Sequence, residues 1–172
     1  MKEPTSAEEV LALHKIRYTD PLRYIQIANE WIQDNPQSSH AYYGRHIAWM
    51  NLGRPQNALD DLDKVIKLEP APISYRSRGE VYRHLGEHKK ALDDFARGEA
   101  MDPAQWDEIG FGLLYQADCY ARLGDEPAAL AHCARLPDDF WTPGIEGTPA
   151  GGKTEIADRL RVIAAEASRK PL

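Results

Sequence analysis

The chain has 172 residues, which is enough for one domain with a sizeable buried core. Its composition, 42% hydrophobic and 28% charged, is typical of a globular protein and argues against a disordered or low-complexity chain. The net charge of −6, without a strongly basic block, argues against a nucleic-acid partner, and no run of about 18 apolar residues predicts a membrane span.

The first 38 residues begin with charged side chains where a secretory signal would be apolar, so we expect a cytoplasmic protein. Asp20-Pro21 is a good helix cap followed by a proline in the first turn, which predicts the start of a helix. The residues that fall in register with the segments farther along the chain are Leu11, Ala12, Ile25, Ala28 and Pro36, whereas Thr19 stands where those segments have a turn glycine.

The next two segments repeat each other: AYYGRHIAWMNLGRPQNALDDLDKVIKLEP and SYRSRGEVYRHLGEHKKALDDFARGEAMDP. Both contain a Leu-Gly pair followed by ALDDL or ALDDF. The Leu-Gly pairs and the closing prolines recur at an interval close to about 34 residues. Glycine ends a helix in a left-handed turn at no steric cost, so each segment is predicted to be two helices joined by a tight turn. No segment alternates between apolar and polar residues for long enough to predict a sheet.

This pattern resembles the tetratricopeptide repeat (TPR), a helix-turn-helix unit. In the second segment the family's signature positions are filled by Tyr75, Gly79, Tyr82, Leu85, Gly86, Ala91, Phe95 and Pro103. In the first segment His46 stands where the family prefers glycine. A third copy lacks the closing proline, and residues near Pro103 to Gly110 before it carry a small insertion. The resemblance implies an all-α fold, a right-handed solenoid of three to four TPR-like helix hairpins with a C-terminal capping helix.

We therefore expect a single TPR-like helical domain over residues 1–172. It would contain a degenerate repeat at 5–38, repeats at 39–72, 73–106 and 110–136, a connector at 137–152 and a capping helix at 153–170. The capping helix is predicted from a stripe of apolar residues at helical spacing, Ile156, Leu160, Ile163 and Ala167. A single hairpin cannot hide its apolar face, so the repeats must stack to be stable.

The stretch GTPAGGKT in the connector fits the phosphate-binding pattern G-x-x-x-x-G-K-[ST], with Gly147, Gly152, Lys153 and Thr154 at the required places. A phosphate loop also needs a buried strand before it and a magnesium-binding aspartate, and neither is predicted here. We therefore interpret the stretch as a turn, with Thr154 capping the last helix, and keep a nucleotide-binding protein as an alternative. The connector's aromatic residues, Phe140 and Trp141, are predicted to anchor it to the last hairpin.

No catalytic set is recognisable, so we predict a protein that is not an enzyme and has no cofactor and no metal site. His84 and His88 are separated by a turn and cannot act together as ligands on one helix face. The two cysteines, Cys119 and Cys133, each lie among apolar helical residues and are predicted to be buried free thiols.

The resemblance implies where function lies, because in this family the first helix of each hairpin lines a concave groove that holds a peptide. From helical phase, the predicted partner-binding groove consists of His40, Tyr43, Ile47, Met50, Arg76, Glu80, Arg83, His84, Leu114, Asp118 and Arg122. Some family members hold a C-terminal carboxylate with a clamp of cations. Neither register of that clamp carries the cations here, which disfavours a cochaperone of that kind.

The sequence thus favours a non-enzymatic scaffold for protein-protein interaction that binds a peptide or protein segment in its concave groove. One narrower alternative is a small acidic chaperone or assembly factor of a bacterial secretion system, suggested by size, charge and repeat number only. A further alternative is a homo-oligomer whose groove is filled by its own tail or by another protomer. Neither nucleic acid nor membrane is expected among the partners.

Overall fold

A computed structural model of the chain describes residues 7–145 and 150–169. The start of the predicted repeat at 5–38, the centre of the predicted connector and residue 170 lie outside this part. Within it the chain forms ten helices: α1 (Ala7–Thr19), α2 (Pro21–Asp34), α3 (Ser39–Asn51), α4 (Pro55–Leu68), α5 (Pro72–His84), α6 (His88–Met101), α7 (Pro103–Ile109), α8 (Phe111–Arg122), α9 (Glu126–Ala134) and α10 (Lys153–Ser168). The predicted all-α class is confirmed.

Short polar side chains start several of these helices. Asp20 and Ser38 accept hydrogen bonds from the first-turn N–H groups of Arg23 and Ala41, at 3.2 Å in both cases. Such caps satisfy donors that have no partner inside the helix. Pro21 occupies the first turn of α2, as predicted, where its missing N–H is not needed.

Three turns of the same construction follow α3, α5 and α8. Each contains a glycine with positive φ after a leucine, at 65° for Gly53, 78° for Gly86 and 83° for Gly124. In each, the residue after the glycine donates its N–H to the carbonyl of an aromatic residue five positions earlier, at 2.9 Å. This is the closure that a left-handed C-terminal residue permits. The Leu-Gly signal in the sequence therefore corresponds to a repeated physical device.

The chain divides into two compact units, Met1–Val81 and Tyr82–Leu172, here called the first and the second unit. In the first unit, α3 packs against α1, α2 and α4. Its buried side chains include Tyr24, Trp31 and Leu62.

The second unit has one larger core. There α8 packs against α6, α7, α9 and α10. Its fully buried side chains include Phe95, Leu113, Ile156 and Leu160. The last two belong to the apolar stripe from which the final helix was predicted.

Two details differ from the sequence-based expectation. The short insertion before the third repeat forms the helix α7, which buries Trp106. The expectation of no sheet is wrong at one place, because strands β1 (Trp141–Thr142) and β2 (Gly151–Gly152) pair antiparallel, with Trp141 opposite Gly152. These strands have two residues each and were too short to leave an alternating pattern in the sequence.

Candidate functional site

A cavity of about 300 Å³ opens in the first unit between α3 and the part of α5 that belongs to this unit. It is lined by Tyr18, Tyr43, His46, Ile47, Met50, Ile73, Arg76, Ser77, Glu80 and Val81. Five of the predicted groove residues are therefore found around one cavity, namely Tyr43, Ile47, Met50, Arg76 and Glu80. Their role in binding stays a prediction.

One wall of this cavity is apolar because of the spacing of residues on α3. Tyr43, Ile47 and Met50 are four and three positions apart and so lie on one face of the helix. All three side chains are half-buried. Two further large apolar side chains at the cavity are unusually exposed, Tyr18 at 53% and Ile73 at 40%. The cavity therefore offers apolar surface that a partner could cover.

The opposite wall comes from α5 and is polar. The hydroxyl groups of Ser77 and Tyr43 are hydrogen-bonded at 3.1 Å, which ties this wall to α3. Arg76 is half-buried and lines the cavity. Within residues 7–145 and 150–169 its guanidinium has no ion pair and no hydrogen bond. A cation thus faces the apolar wall of α3, with its hydrogen-bond donors available.

His46 is the buried polar residue of the cavity lining, at 5% exposure, and Val81 is the buried apolar one. Burial lowers the pKa of His46 to about 3, an effect that the Tyr43 backbone offsets only in part. The imidazole is therefore neutral at pH 7, and its ring packs edge-on against Tyr43 with the ring centres 4.5 Å apart. His46 supplies packing surface here and adds no charge beside Arg76.

A second cavity, of about 290 Å³, lies next to the first and shares Tyr43 and Ile73 with it. It is lined by Ser39, His40, Tyr43, Val65, Glu69, Ala71, Ile73 and Ser74, so the predicted groove residue His40 belongs here. At this cavity the Ser39 hydroxyl donates a hydrogen bond to the Glu69 carboxylate at 2.5 Å. Glu69 is the one acidic residue in the described lining of this cavity, and no lysine or arginine lines it.

The predicted groove residues of the second unit have different surroundings. The fully buried Asp118 carboxylate accepts hydrogen bonds from Arg83 Nη1 at 3.1 Å and from Arg122 Nε at 2.9 Å. Arg83 also lies over the Tyr115 ring, 5.2 Å from its centre. These charged residues form an internal ion cluster. They do not join the cavity of the first unit.

Two of the predicted groove positions need correction. Leu114 and Asp118 are both 0% exposed, so neither offers surface to a partner. The reason is that α8 is covered by α6, α7, α9 and α10, and helical phase alone does not reveal how many sides of a helix are covered. His84, at the end of α5, is exposed, and Arg122 is half-buried.

The GTPAGGKT stretch is built around structural contacts in its described part; Gly147 lies outside the described residues. Lys153 is the first residue of α10, and its Nζ donates to the Leu136 carbonyl at 2.8 Å and contacts the Asp138 carboxylate at 3.3 Å. The N–H of Gly152, the N-cap of α10, donates a hydrogen bond to the Glu155 carboxylate at 3.1 Å. These contacts support the interpretation of this stretch as a turn into the last helix.

The expected cap of α10 and one expected anchor were wrong. Thr154 lies inside the helix, and Gly152 is the N-cap. The side chain that completes the cap is Glu155, which accepts a hydrogen bond from the Gly152 N–H. Phe140 is buried and packs against Phe111 with the ring centres 5.5 Å apart, as expected of an anchor. Trp141, in contrast, is 61% exposed and does not anchor the connector.

No three His, Cys, Asp or Glu side chains of the described residues could together hold a metal ion. Among the described helices, none combines the length and the apolar character that crossing a membrane requires. Cys119 and Cys133 are buried free thiols, as predicted, and burial raises the pKa of Cys119 to about 12.

Sequence reasoning missed five residues of the first cavity: Tyr18, His46, Ile73, Ser77 and Val81. Ile73 and Ser77 share the helical phase of Arg76 and Glu80, so extending that phase along α5 would have found them. His46 was assigned to helix packing because of its place in the repeat. Tyr18 lies in the degenerate N-terminal copy, where the register gave no signal.

The model of the tetratricopeptide repeat family matches residues 43–105. Tetratricopeptide repeats are thus recognised within residues 43–105. The matched part includes the helices α4 and α6 and the α5 wall of the first cavity. No curated protein sequence matches the chain significantly.

Solved structures agree with the fold of this chain. One crystal structure of MamA has a TM-score of 0.61 at 17% identity and covers 84% of this chain and 86% of its own. A double mutant, MamA RS-1 ArsTM, gives 0.66 at 16% identity with 94% and 92% coverage. A further crystal structure of MamA protein gives 0.63 at 15% identity with 95% and 88% coverage. At these identities the likeness shows the fold.

Repeats of this family are typically non-catalytic scaffolds for protein-protein interaction. The matched repeats and the shared fold support that general role for this chain.

Proposed function

We propose that the first unit binds a peptide segment of a partner protein in the two adjoining cavities along α3 and α5. The observation that carries this proposal is the convergence of Tyr43, Ile47, Met50, Arg76 and Glu80 on one cavity of about 300 Å³. These residues come from two different repeats, and the fold brings them to one place.

The energetics of this surface support the proposal. Covering exposed apolar side chains is favourable by about 25 cal/mol per Å² of apolar surface removed from water. Tyr18 and Ile73 leave much of their surface at the cavity uncovered. Tyrosine and arginine are also the residue types that most often dominate binding energy at protein interfaces. A bound segment would thus gain both apolar burial and polar anchoring.

The size of the cavities favours a segment over a small cofactor. Each cavity is close to the lower end of the range of small-molecule sites, which is about 300–1,000 Å³. Two such cavities that share Tyr43 and Ile73 suit successive side chains of one chain. We therefore expect recognition of side chains along a segment.

The experiment selects ligands from a phage-displayed library of random 12-residue peptides against the purified full chain. Enriched peptides are synthesised with a fluorescein label and titrated by fluorescence anisotropy. Ile47→Arg places a charge in the apolar wall. Val162→Arg is the matched control, because Val162 lies on α10 and is 45% exposed.

We expect Ile47→Arg to weaken binding by about tenfold or more, since one buried aliphatic side chain contributes about 1.5–3 kcal/mol. Val162→Arg should bind like the wild type. Circular dichroism melts check that both variants fold, and Met50→Lys replaces Ile47→Arg if the latter does not. Failure to enrich any peptide, or equal affinity for the folded cavity variant and the control, would overturn the proposal.

A further inference from the structure

We infer that the bound segment carries a carboxylate side chain beside a large apolar side chain, with the carboxylate on Arg76 and the apolar group in the first cavity. This inference rests on the proposed function and adds the chemistry of the ligand. It names a partner motif by charge and size.

Six arginines of the described structure form ion pairs with acidic side chains, and Arg76 is not among them. Those arginines, with their partners, are Arg45 with Asp61, Arg78 with Asp63, Arg83 and Arg122 with Asp118, Arg135 with Glu99 and Arg161 with Asp158. The chain as a whole is acidic, with 27 Asp and Glu against 21 Lys and Arg. Within the described residues Arg76 nevertheless has no acidic partner.

The position of Arg76 indicates which group it can bind. Its side chain is half-buried on the wall of a cavity whose facing wall is Tyr43, Ile47 and Met50. A guanidinium partly removed from water is stabilised most by a carboxylate, which it can bind with two parallel hydrogen bonds. The facing apolar wall cannot supply one, and Glu80 on the same helix forms no ion pair with Arg76 in the described structure, so we place the complementary group on the ligand.

The charges around the cavities restrict where the ligand's acid can lie. Glu80 is one helical turn beyond Arg76 on α5 and repels a second acid at that end. Glu69 lines the second cavity and repels an acid there. A carboxylate is therefore favoured only next to Arg76, and this asymmetry gives the bound segment one preferred direction.

The apolar requirement follows from the remaining lining. His46 is neutral and buried, and Ile47, Met50 and Val81 offer no hydrogen-bonding side chains. A polar group placed against Ile47, Met50 and Val81 would lose its water without gaining a partner. A large aliphatic or aromatic side chain fits this part of the cavity, within reach of the same segment's acid.

The test is a double-mutant cycle with one fluorescein-labelled 12-residue peptide from the selection. Its acidic residue is changed to the matching amide, and Arg76 is changed to methionine, which keeps the unbranched apolar stem of the side chain and removes the guanidinium charge. Arg54→Met is the matched control, since Arg54 is an exposed arginine of the first unit outside both cavity linings.

We expect the amide peptide to bind the wild type about tenfold more weakly, since a hydrogen bond to a charged group is of that order. Arg76→Met should weaken the acidic peptide to a similar extent, whereas Arg54→Met should not. On the Arg76→Met variant the acid-to-amide change should have no further effect. Selected peptides should pair an acidic residue with a large apolar residue.

Two outcomes would overturn the inference and leave the proposed function standing. One is a selection whose peptides depend on Ile47 but contain no recurrent acid. The other is an acid-to-amide change that weakens binding to the wild type and to Arg76→Met by the same factor. Loss of dependence on Ile47 would instead overturn the proposed function itself.

Discussion

Replacing Asp118 by alanine is expected to lower the free energy of unfolding by about 3–5 kcal/mol, the usual cost of removing one partner of a buried ion pair. The Asp118 side chain is 0% exposed and the Arg83 side chain is 7% exposed. Without the carboxylate, Arg83 keeps a buried charge that water cannot solvate. Arg122, at 29% side-chain exposure, would lose its partner at a lower cost.

The matched control is Asp63→Ala, which removes the same side chain from an exposed pair. Asp63 is 59% exposed and contacts Arg78 at 2.6 Å. A pair of this kind contributes about 0–1 kcal/mol. The comparison therefore separates a core ion cluster from a surface one by several kcal/mol, with the chemistry of the substitution held constant.

Urea denaturation followed by circular dichroism at 222 nm measures both free energies, given equal m-values. The double variant Arg83→Met with Asp118→Leu, which removes both opposing charges, should recover a large part of the lost stability. A destabilisation by Asp118→Ala no larger than that by Asp63→Ala would refute the burial argument. It would also mean that Arg83 and Asp118 are accessible to solvent, as the predicted groove requires.

Three further outcomes follow from the described contacts. Gly110→Ala should destabilise the chain more than Gly86→Ala in urea titrations. Both glycines have positive φ, which costs alanine about 1–2 kcal/mol. Only at Gly110 would the new Cβ also come within 2.8 Å of an aromatic ring, that of Phe140. The pKa of His46 is about 3 in the folded chain, below the ordinary value of 6.5, so on acidification the unfolded chain binds the proton first. The free energy of unfolding should therefore fall by up to about 1.4 kcal/mol per pH unit as the pH is lowered from 6.5 towards 3. His46→Gln should remove that component, and an identical pH slope in both proteins would contradict it. Cys119 and Cys133 should react with Ellman's reagent only after unfolding, and rapid reaction of the native chain would contradict their burial.

The hairpins could be predicted from sequence because their signal is local. A leucine followed by glycine specifies a helix end through backbone conformation alone, and the three turns with φ between 65° and 83° follow that rule. The strand pair at Trp141 and Gly152 could not be predicted, because two residues are too few for a periodic pattern. The helix α7 was predicted only as an insertion, because its seven residues are also too few for a clear periodic pattern.

Helical phase selected half-buried cavity residues on α3 and fully buried residues on α8. On α3, helical phase brought Tyr43, Ile47 and Met50 to one cavity. On α8 the same reasoning selected Leu114 and Asp118, which are fully buried. Covering by α10 depends on packing between segments far apart in sequence, and phase carries no information about it.

The most direct test of the proposed site uses the chain's three methionines, Met1, Met50 and Met101. Met50 lines the first cavity, whereas Met101 belongs to α6 of the second unit and is 48% exposed. With 13C-methyl methionine, and the Met50 signal assigned by Met50→Leu, we expect a selected 12-residue peptide to shift Met50 and leave Met101 in place. A Met50 signal that stays unchanged at saturating peptide would contradict binding at this cavity.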